Sequence, residues 1–277
     1  MGMMRRLALV AACCITGLIS VHTARADEEA EARNERWAEL QRAIFPGRTI
    51  SDGAGVIELE APPRALDAAL VPFTITLPGD KQIKSVSLVI DNNPGPLASR
   101  FVFGPAADAR TLKVRMRVNT YTNVHAVAED AAGRLYAVEK FVKASGGCSA
   151  PAGSDNEESM RNLRQMRLKL LDEFAPGKPM QAQLMIRHPN FNGMQMDQLT
   201  RLYTAAHFIR TIDVSYDNQS VVRVESDISL STDPVLTFGF KPPRQGQLKV
   251  EITDSKDQSF VREFPVPASA PAVSSSL

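Results

Sequence analysis

The feature that most constrains the fold of this chain is a two-residue alternation of apolar and polar side chains. Phe73, Ile75 and Leu77 are separated by threonines. The same pattern recurs in segments 86–90, 112–118, 180–186 and 248–252. Successive side chains of a β-strand point to opposite faces of a sheet, so each segment predicts a strand with one buried face.

Turn-forming residues separate these segments. They occur at 78–80, 91–96, 104–105, 132–133, 217–218, 233–234 and 242–243. Many short strands divided by turns are typical of an antiparallel sandwich. We therefore expect a mainly β fold of two immunoglobulin-like antiparallel β-sandwich domains, joined by a glycine-rich arm and a helix.

Two segments have helical periodicity instead. Over residues 27–45, Trp37, Leu40 and Ile44 lie on one face, and Pro46-Gly47 ends the segment. A second helix is predicted from Ser154, which forms a capping box with Glu157. Its apolar stripe consists of Met160, Leu163, Met166, Leu170 and Phe174.

These patterns divide the chain into five parts. They are a signal peptide (1–26), a first sandwich with its N-terminal helix (27–145), an arm and linker helix (146–177), a second sandwich (178–267) and a disordered tail (268–277). About 250 residues after the signal suit two domains of the common size of about 100–150 residues.

The N-terminus resembles an export signal. Arg5 and Arg6 precede an apolar run over 7–21, and Ala24-Arg25-Ala26 offers a small-x-small cleavage site. We expect a protein secreted to the periplasm. A lipoprotein signal ending at Cys13 is the alternative, but the apolar run continues well past that residue.

The charge balance excludes two classes of partner. Removal of residues 1–26 takes away three arginines and no acid, so 32 Lys and Arg against 31 Asp and Glu become 29 against 31. A net charge this close to zero indicates neither nucleic acid nor an anionic membrane surface as a partner.

Cysteine use is more informative than charge. Cys13 and Cys14 lie in the signal, so the mature chain retains Cys148 alone. It follows Gly146 and Gly147 in a small, polar segment with the composition of a flexible linker. An unpaired thiol of an exported protein is buried and inert, paired between molecules, or chemically used.

Several segments resemble a known family. In the first half they are the Trp37 helix, the 91–94 turn leading to Phe101, and 143–148, Lys-Ala-Ser-Gly-Gly-Cys; in the second half they are 186–189 with Gly193 and Asp197, 205–209, and 233–234. The first half resembles the SoxY sulfur carrier of periplasmic thiosulfate oxidation, and the second resembles its partner SoxZ. Together they resemble the fused SoxYZ-like carriers associated with quinoprotein alcohol dehydrogenases.

The resemblance implies a role for Cys148. It would hold a sulfur-containing intermediate covalently on an arm containing Gly146 and Gly147, and present it to periplasmic redox enzymes. Such a carrier is not an enzyme and needs no cofactor. Its partners would be Sox-type enzymes or a quinoprotein dehydrogenase, and a homodimer through Cys148 is possible. The alternative is a non-covalent docking protein for a periplasmic PQQ-dependent alcohol dehydrogenase system.

Other candidate groups carry less weight. Lys140 and Lys143 are near Cys148 in sequence and are candidates to favour its thiolate, which is the nucleophilic form. His125, His188 and His207 are far apart in sequence and lack the spacing of metal ligands, so we expect no metal site. No hydrolase, zinc-protease, P-loop or dinucleotide-binding motif is present in the sequence.

Overall fold

The computed structural model describes residues 28–79, 81–150, 160–196 and 201–266. The predicted signal peptide and the predicted C-terminal tail lie outside these residues. The chain divides into two compact units, one ending at Gly47 and the other beginning at Arg48. Within the described residues, no helix is long and apolar enough to cross a membrane.

The first unit contains helix α1, residues 28–44, which confirms the predicted N-terminal helix. The N–H of Phe45 still donates to the carbonyl of Gln41, at 2.9 Å. Gly47 then adopts a φ of 70°, a left-handed conformation that favours glycine and that commonly follows the end of a helix.

The second unit is built of fifteen strands among the described residues. They are β1 (Ile50–Asp52), β2 (Glu58–Glu60), β3 (Val71–Thr76), β4 (Ile83–Ile90), β5 (Leu97–Phe103), β6 (Ala107–Met116), β7 (Thr122–Asp130), β8 (Leu135–Val142), β9 (Met166–Leu170), β10 (Met180–Ile186), β11 (Ile209–Tyr216), β12 (Gln219–Ser226), β13 (Val235–Phe240), β14 (Gly246–Asp254) and β15 (Ser259–Val266). The strands predicted from alternation are confirmed as β3, β4, β6, β10 and β14.

The strands form two sheets. A nine-stranded sheet has the order β1-β8-β7-β4-β5-β12-β11-β14-β15, and a six-stranded sheet has the order β2-β3-β6-β13-β10-β9. The pairings are antiparallel except that of β1 with β8. Apolar side chains from both sheets form one buried cluster, to which Phe73 and Phe101 contribute from the first half of the chain and Phe238 and Phe240 from the second. The predicted mainly β, immunoglobulin-like fold class is confirmed.

Both sheets run through the two halves of the sequence. In the larger sheet β5 pairs with β12, placing Phe101 opposite Val224. In the smaller sheet β6 pairs with β13, placing Lys113 opposite Thr237. The halves are therefore joined edge to edge by hydrogen-bonded strands. The boundaries expected at residues 145 and 178 remain predictions.

The predicted linker helix is wrong over residues 162–174, and its predicted cap at Ser154 and Glu157 lies outside the described residues. Residues 160–161 are helical, but Arg164 has a φ of 81° and Met166–Leu170 is strand β9, paired with β10. Met166, Leu168 and Leu170 fit a two-residue period as well as a helical one. Pairing with the edge of the smaller sheet decides between the two patterns, because tertiary contacts override local preference.

Candidate functional site

Cys148 lies in a tight turn, residues 146–150, that we call the cysteine loop. Its start is fixed to the segment following β6: Gly146 N–H donates to the carbonyl of Asn119 at 2.7 Å, and Gly147 N–H to that of Val118 at 3.2 Å. Gly146 has a φ of 75°, and Ala150 N–H donates back to its carbonyl at 2.8 Å. Backbone geometry thus holds the loop closed on itself.

The second half of the chain closes the loop from the other side. Asn192 Nδ2 donates to the carbonyl of Cys148 at 2.7 Å. Gln195 Nε2 donates to the carbonyl of Ala150 at 3.2 Å, and its own Oε1 accepts from Asn192 N–H. Both amide side chains are buried. The cysteine therefore lies where the two halves meet, held by hydrogen bonds from each.

The thiol is buried in this conformation. Cys148 is 1 % exposed. Burial raises the pKa of the thiol to about 11, although the positive charge of Arg117 acts in the opposite direction. The group is consequently protonated near neutral pH, whereas the thiolate is the reactive form.

The arm expected around Cys148 is a closed turn with a buried thiol in this structure. A Cβ on Gly147 would lie 2.1 Å from the carbonyl oxygen of Ala68 and 2.5 Å from that of Val118. This glycine is needed for close packing of backbone against backbone. The carrier role of Cys148, with Gly146 and Gly147 as its arm, stays a prediction.

Arg117 is the cation whose positive charge lowers the pKa of the Cys148 thiol. Lys140 and Lys143, the expected candidates, are exposed, and Arg117 is the charged group whose electrostatic effect favours the thiolate. The guanidinium donates through Nη1 to the carbonyl of Gly147 at 3.2 Å and through Nη2 to Thr232 Oγ1 at 2.6 Å. Arg117 is 1 % exposed, and its desolvation lowers its pKa.

Sequence periodicity places Arg117 on the outer, solvated face of β6, and the structure corrects this. Past the end of β6, that face is covered by the cysteine loop and by residues 229–232, whose Ser229 carbonyl accepts the Arg117 N–H at 2.7 Å. Asn93 supports the same region: its Nδ2 donates to the Arg117 carbonyl at 2.7 Å and to Ser229 Oγ at 2.9 Å. The sequence analysis singled out the 91–94 turn, which contains Asn93, but it did not identify Arg117 as a residue of this region.

A second polar cluster brings together two histidines that were expected to lie apart. The rings of His188 and His207 meet edge to face with centroids 4.9 Å apart. Asp254 Oδ2 lies 2.8 Å from His207 Nε2 and 3.8 Å from His188 Nε2. All three residues are buried, and their ligand atoms lie within 4.8 Å of one another. His125 is elsewhere on β7, where its Nε2 lies 3.1 Å from Asp91 Oδ2.

Hydrogen bonding does not favour a metal ion between these groups. His188 Nδ1 accepts from the N–H of Asn190 at 3.1 Å, so the neutral ring carries its proton on Nε2, the atom that faces Asp254. Burial and the neighbouring His207 lower the pKa of His188 to about 4. A cation bound at Nε2 would have to displace that proton and break the bond at Nδ1.

Asp254 is saturated with donors. Burial raises the pKa of its carboxyl, but the hydrogen bond from His207 and those from the N–H groups of Gln258 and Lys256 outweigh this effect, so the net pKa is lowered. The two backbone bonds reach Oδ1 at 3.0 and 2.8 Å. The cluster is a set of hydrogen bonds around one buried carboxylate, beside which His188 Nε2 has no hydrogen-bond partner among the described residues.

Two family models match this chain in succession. The model described as sulfur oxidation protein SoxY matches residues 41–148, and the model described as sulphur oxidation protein SoxZ matches residues 168–265. The comparison with curated proteins finds no match.

Two solved structures resemble this chain more weakly. The sulfur carrier protein SoxY from Chlorobium limicola f thiosulfatophilum is 23 % identical, with 42 % of this chain and 98 % of that chain covered and a TM-score of 0.36. The fibronectin(III)-like modules of Clostridium thermocellum CbhA are 12 % identical, with 76 % and 92 % covered and a TM-score of 0.24. Neither TM-score is high enough to carry an argument, so the assignment depends on the two family models. Because these lie in order and together span most of the chain, this protein belongs to the SoxYZ-like family as a fusion of a SoxY domain with a SoxZ domain.

Proposed function

We propose that this protein is a periplasmic carrier that binds a sulfur-containing intermediate covalently on Cys148 and presents it to sulfur-oxidation enzymes. The observation that carries the proposal is the position of the thiol. The SoxY match ends on Cys148, the one cysteine that remains once residues 1–26 are removed. The matched domains are those of carrier and accessory proteins, so the proposed role is delivery and not catalysis.

The closed cysteine loop sets a condition on this role. The thiol must leave its buried position before an enzyme can reach it, and the side-chain bonds from Asn192 and Gln195 must break. Each hydrogen bond of this kind contributes about 0.5–1.5 kcal/mol net. Breaking these two side-chain bonds therefore costs on the order of 1–3 kcal/mol. An intermolecular disulfide through Cys148 would require the same opening.

A non-covalent docking role remains the competing function, and the burial of Cys148 is the observation that favours it. In that case the two-domain body would act as a binding surface for a periplasmic enzyme such as a quinoprotein dehydrogenase. The thiol would then be an interior group with no chemistry.

Mass analysis of protein isolated from its native periplasm distinguishes the two functions. We expect the peptide containing Cys148 to carry a sulfur adduct that reductant removes, and we expect Cys148→Ser to abolish function in cells. Ser149→Ala, one residue along the loop, is the matched control and should behave as the wild type. A thiol that is always free, with Cys148→Ser fully functional, would leave only the docking role.

A further inference from the structure

The guanidinium of Arg117 is a buried cation whose hydrogen-bonding partners are all neutral. Its Nη atoms reach the Gly147 carbonyl and the Thr232 hydroxyl. That hydroxyl in turn donates to the carbonyl of Pro189 at 2.9 Å. Nε is buried and has no hydrogen-bond partner in the described part of the chain. Across the same residues, no carboxylate forms an ion pair with Arg117.

Such an arrangement is costly. A buried charge usually has a carboxylate partner, because desolvation of an ion is expensive unless it is paired. The acidic group that acts on Arg117 is Asp67, but Asp67 is exposed and its Oδ1 accepts from the N–H of Ala69. A solvated carboxylate that forms no ion pair compensates less of the cost than a buried partner would. The site is thus short of one negative charge.

Cys148 does not supply that charge in its thiol form. Its pKa of about 11 keeps it neutral near pH 7. Arg117 nevertheless donates to the carbonyl of Gly147, the residue immediately before Cys148, and its charge acts electrostatically on the Cys148 sulfur. Sulfonate-type oxygens are acceptors that charged donors bind strongly. The unpartnered Nε–H is a free donor for one of them.

We propose that Arg117 is the specificity-determining residue of the carrier, which binds the oxyanion of a cargo attached through Cys148 and so selects anionic sulfur oxoacid groups over neutral ones. This inference rests on the proposed carrier function. The loaded loop docks because the cargo brings the missing negative charge. A neutral cargo leaves the cation unpaired, and the loop opens more readily.

Two adducts of Cys148 that differ in charge provide the test. Tetrathionate makes the anionic one: the thiolate attacks a central sulfur, the central S–S bond breaks, and thiosulfate leaves, giving Cys–S–S–SO₃⁻. Methyl methanethiosulfonate makes the neutral one: the thiolate attacks the divalent sulfur, its bond to the sulfonyl sulfur breaks, and methanesulfinate leaves, giving Cys–S–S–CH₃. In each case the oxidised reagent supplies the sulfur that is transferred, and the thiol proton goes to solvent.

The measured quantity is the protection of each adduct from a thiol reductant. It is the rate of adduct loss in the urea-unfolded chain divided by the rate in the folded protein, which removes the difference in intrinsic reactivity. Charge-assisted hydrogen bonds contribute about 1.5–3 kcal/mol, so we expect the anionic adduct to be about 10- to 100-fold better protected than the neutral one. Equal protection of the two adducts in the wild type would overturn the proposal without any variant.

Variants assign the effect to this residue. Arg117→Gln should remove the difference between the adducts, and Arg117→Lys should retain part of it. Arg115→Gln is the matched control, because Arg115 is an exposed arginine two residues away on β6. An unchanged ratio in a folded Arg117→Gln variant would contradict the proposal. If that variant does not fold, Thr232→Val, which removes the hydroxyl that holds Nη2 in position, should lower the ratio, and no change would contradict the proposal equally.

Failure of this inference is separable from failure of the carrier function. A Cys148 adduct found in cells, together with equal protection of the two adducts in vitro, would support the carrier function and contradict the role of Arg117. Anion-selective protection in vitro with no adduct in cells would support the role of Arg117 and contradict the carrier function.

Discussion

The region around Cys148 and the His188–His207–Asp254 cluster are both polar and both buried, but they treat charge in opposite ways. Asp254 accepts hydrogen bonds from one imidazole and two backbone N–H groups. Among the described residues, Arg117 has two acceptors, both neutral, and its Nε has no hydrogen-bond partner. The first charge is compensated by the fold itself, whereas the second has no carboxylate partner in the described part of the chain.

This difference indicates what each region is for. A buried charge whose hydrogen bonds are satisfied stabilises one conformation, whereas a partly satisfied one costs free energy unless a ligand completes it. The two regions are also connected, since Thr232 binds both Arg117 and the Pro189 carbonyl, next to His188. The histidine cluster therefore secures the segment that supports the cysteine loop.

The largest effect should follow from removing the saturated carboxylate. Asp254→Ala leaves His207 and two backbone N–H groups without their acceptor, and breaking a buried charged network of this kind costs about 3–5 kcal/mol. Urea unfolding measures the change. Asp213→Ala is the control, because its ion pair with Arg223 is partly exposed and should contribute less than about 1 kcal/mol. Similar losses for both variants would show that the cluster is not specially stabilising.

Acidification should cause the second-largest loss of stability, and it acts on the same cluster. The pKa of His188 is lowered to about 4 in the folded protein from about 6.5 in an unfolded chain, so the unfolded state binds more protons between these values. Stability is fully present above pH 6.5 and is lost as the pH falls to about 4, by up to about 3 kcal/mol. Asp254, whose pKa is also lowered, adds its own loss below about pH 4.

Urea unfolding at a series of pH values tests this expectation. His188→Asn keeps an acceptor near the position of Nδ1 but cannot titrate, so its stability should change far less between pH 6.5 and 4. A His188→Asn profile as steep as that of the wild type would assign the acid loss to other groups.

A smaller effect is expected on the opening of the cysteine loop. Asn192→Ala removes the bond to the Cys148 carbonyl, about 1 kcal/mol, and should speed labelling of the thiol by a neutral maleimide roughly fivefold. Gln219→Ala, at an exposed position at the start of β12, is the control. Labelling that is fast in the wild type, or unaffected in Asn192→Ala, would mean that Asn192 does not hold the loop.

The sequence prediction succeeded for local patterns and failed where contacts join distant segments of the chain. Alternation is local, so it located β3, β4 and β10 and the apolar faces they bury. Contacts between distant segments are not local. Residues 229–232 cover Arg117 from more than a hundred positions away, and Asp254 joins His207 across 47. The periodicity of 160–174 also fitted two structures, and pairing with β10 chose the strand.

Arg117→Met gives the sharpest contrast with Asp254, because it should have the smallest effect on stability. The substitution loses two hydrogen bonds but also removes a buried charge that has no carboxylate partner within the described residues. Replacing buried ionic groups with apolar side chains of similar size is often neutral or stabilising. We therefore expect the free energy of unfolding of the unloaded protein to change by less than about 1 kcal/mol in urea. A loss as large as that of Asp254→Ala would mean that Arg117 is structurally compensated in the thiol form, and the two regions would no longer differ in kind.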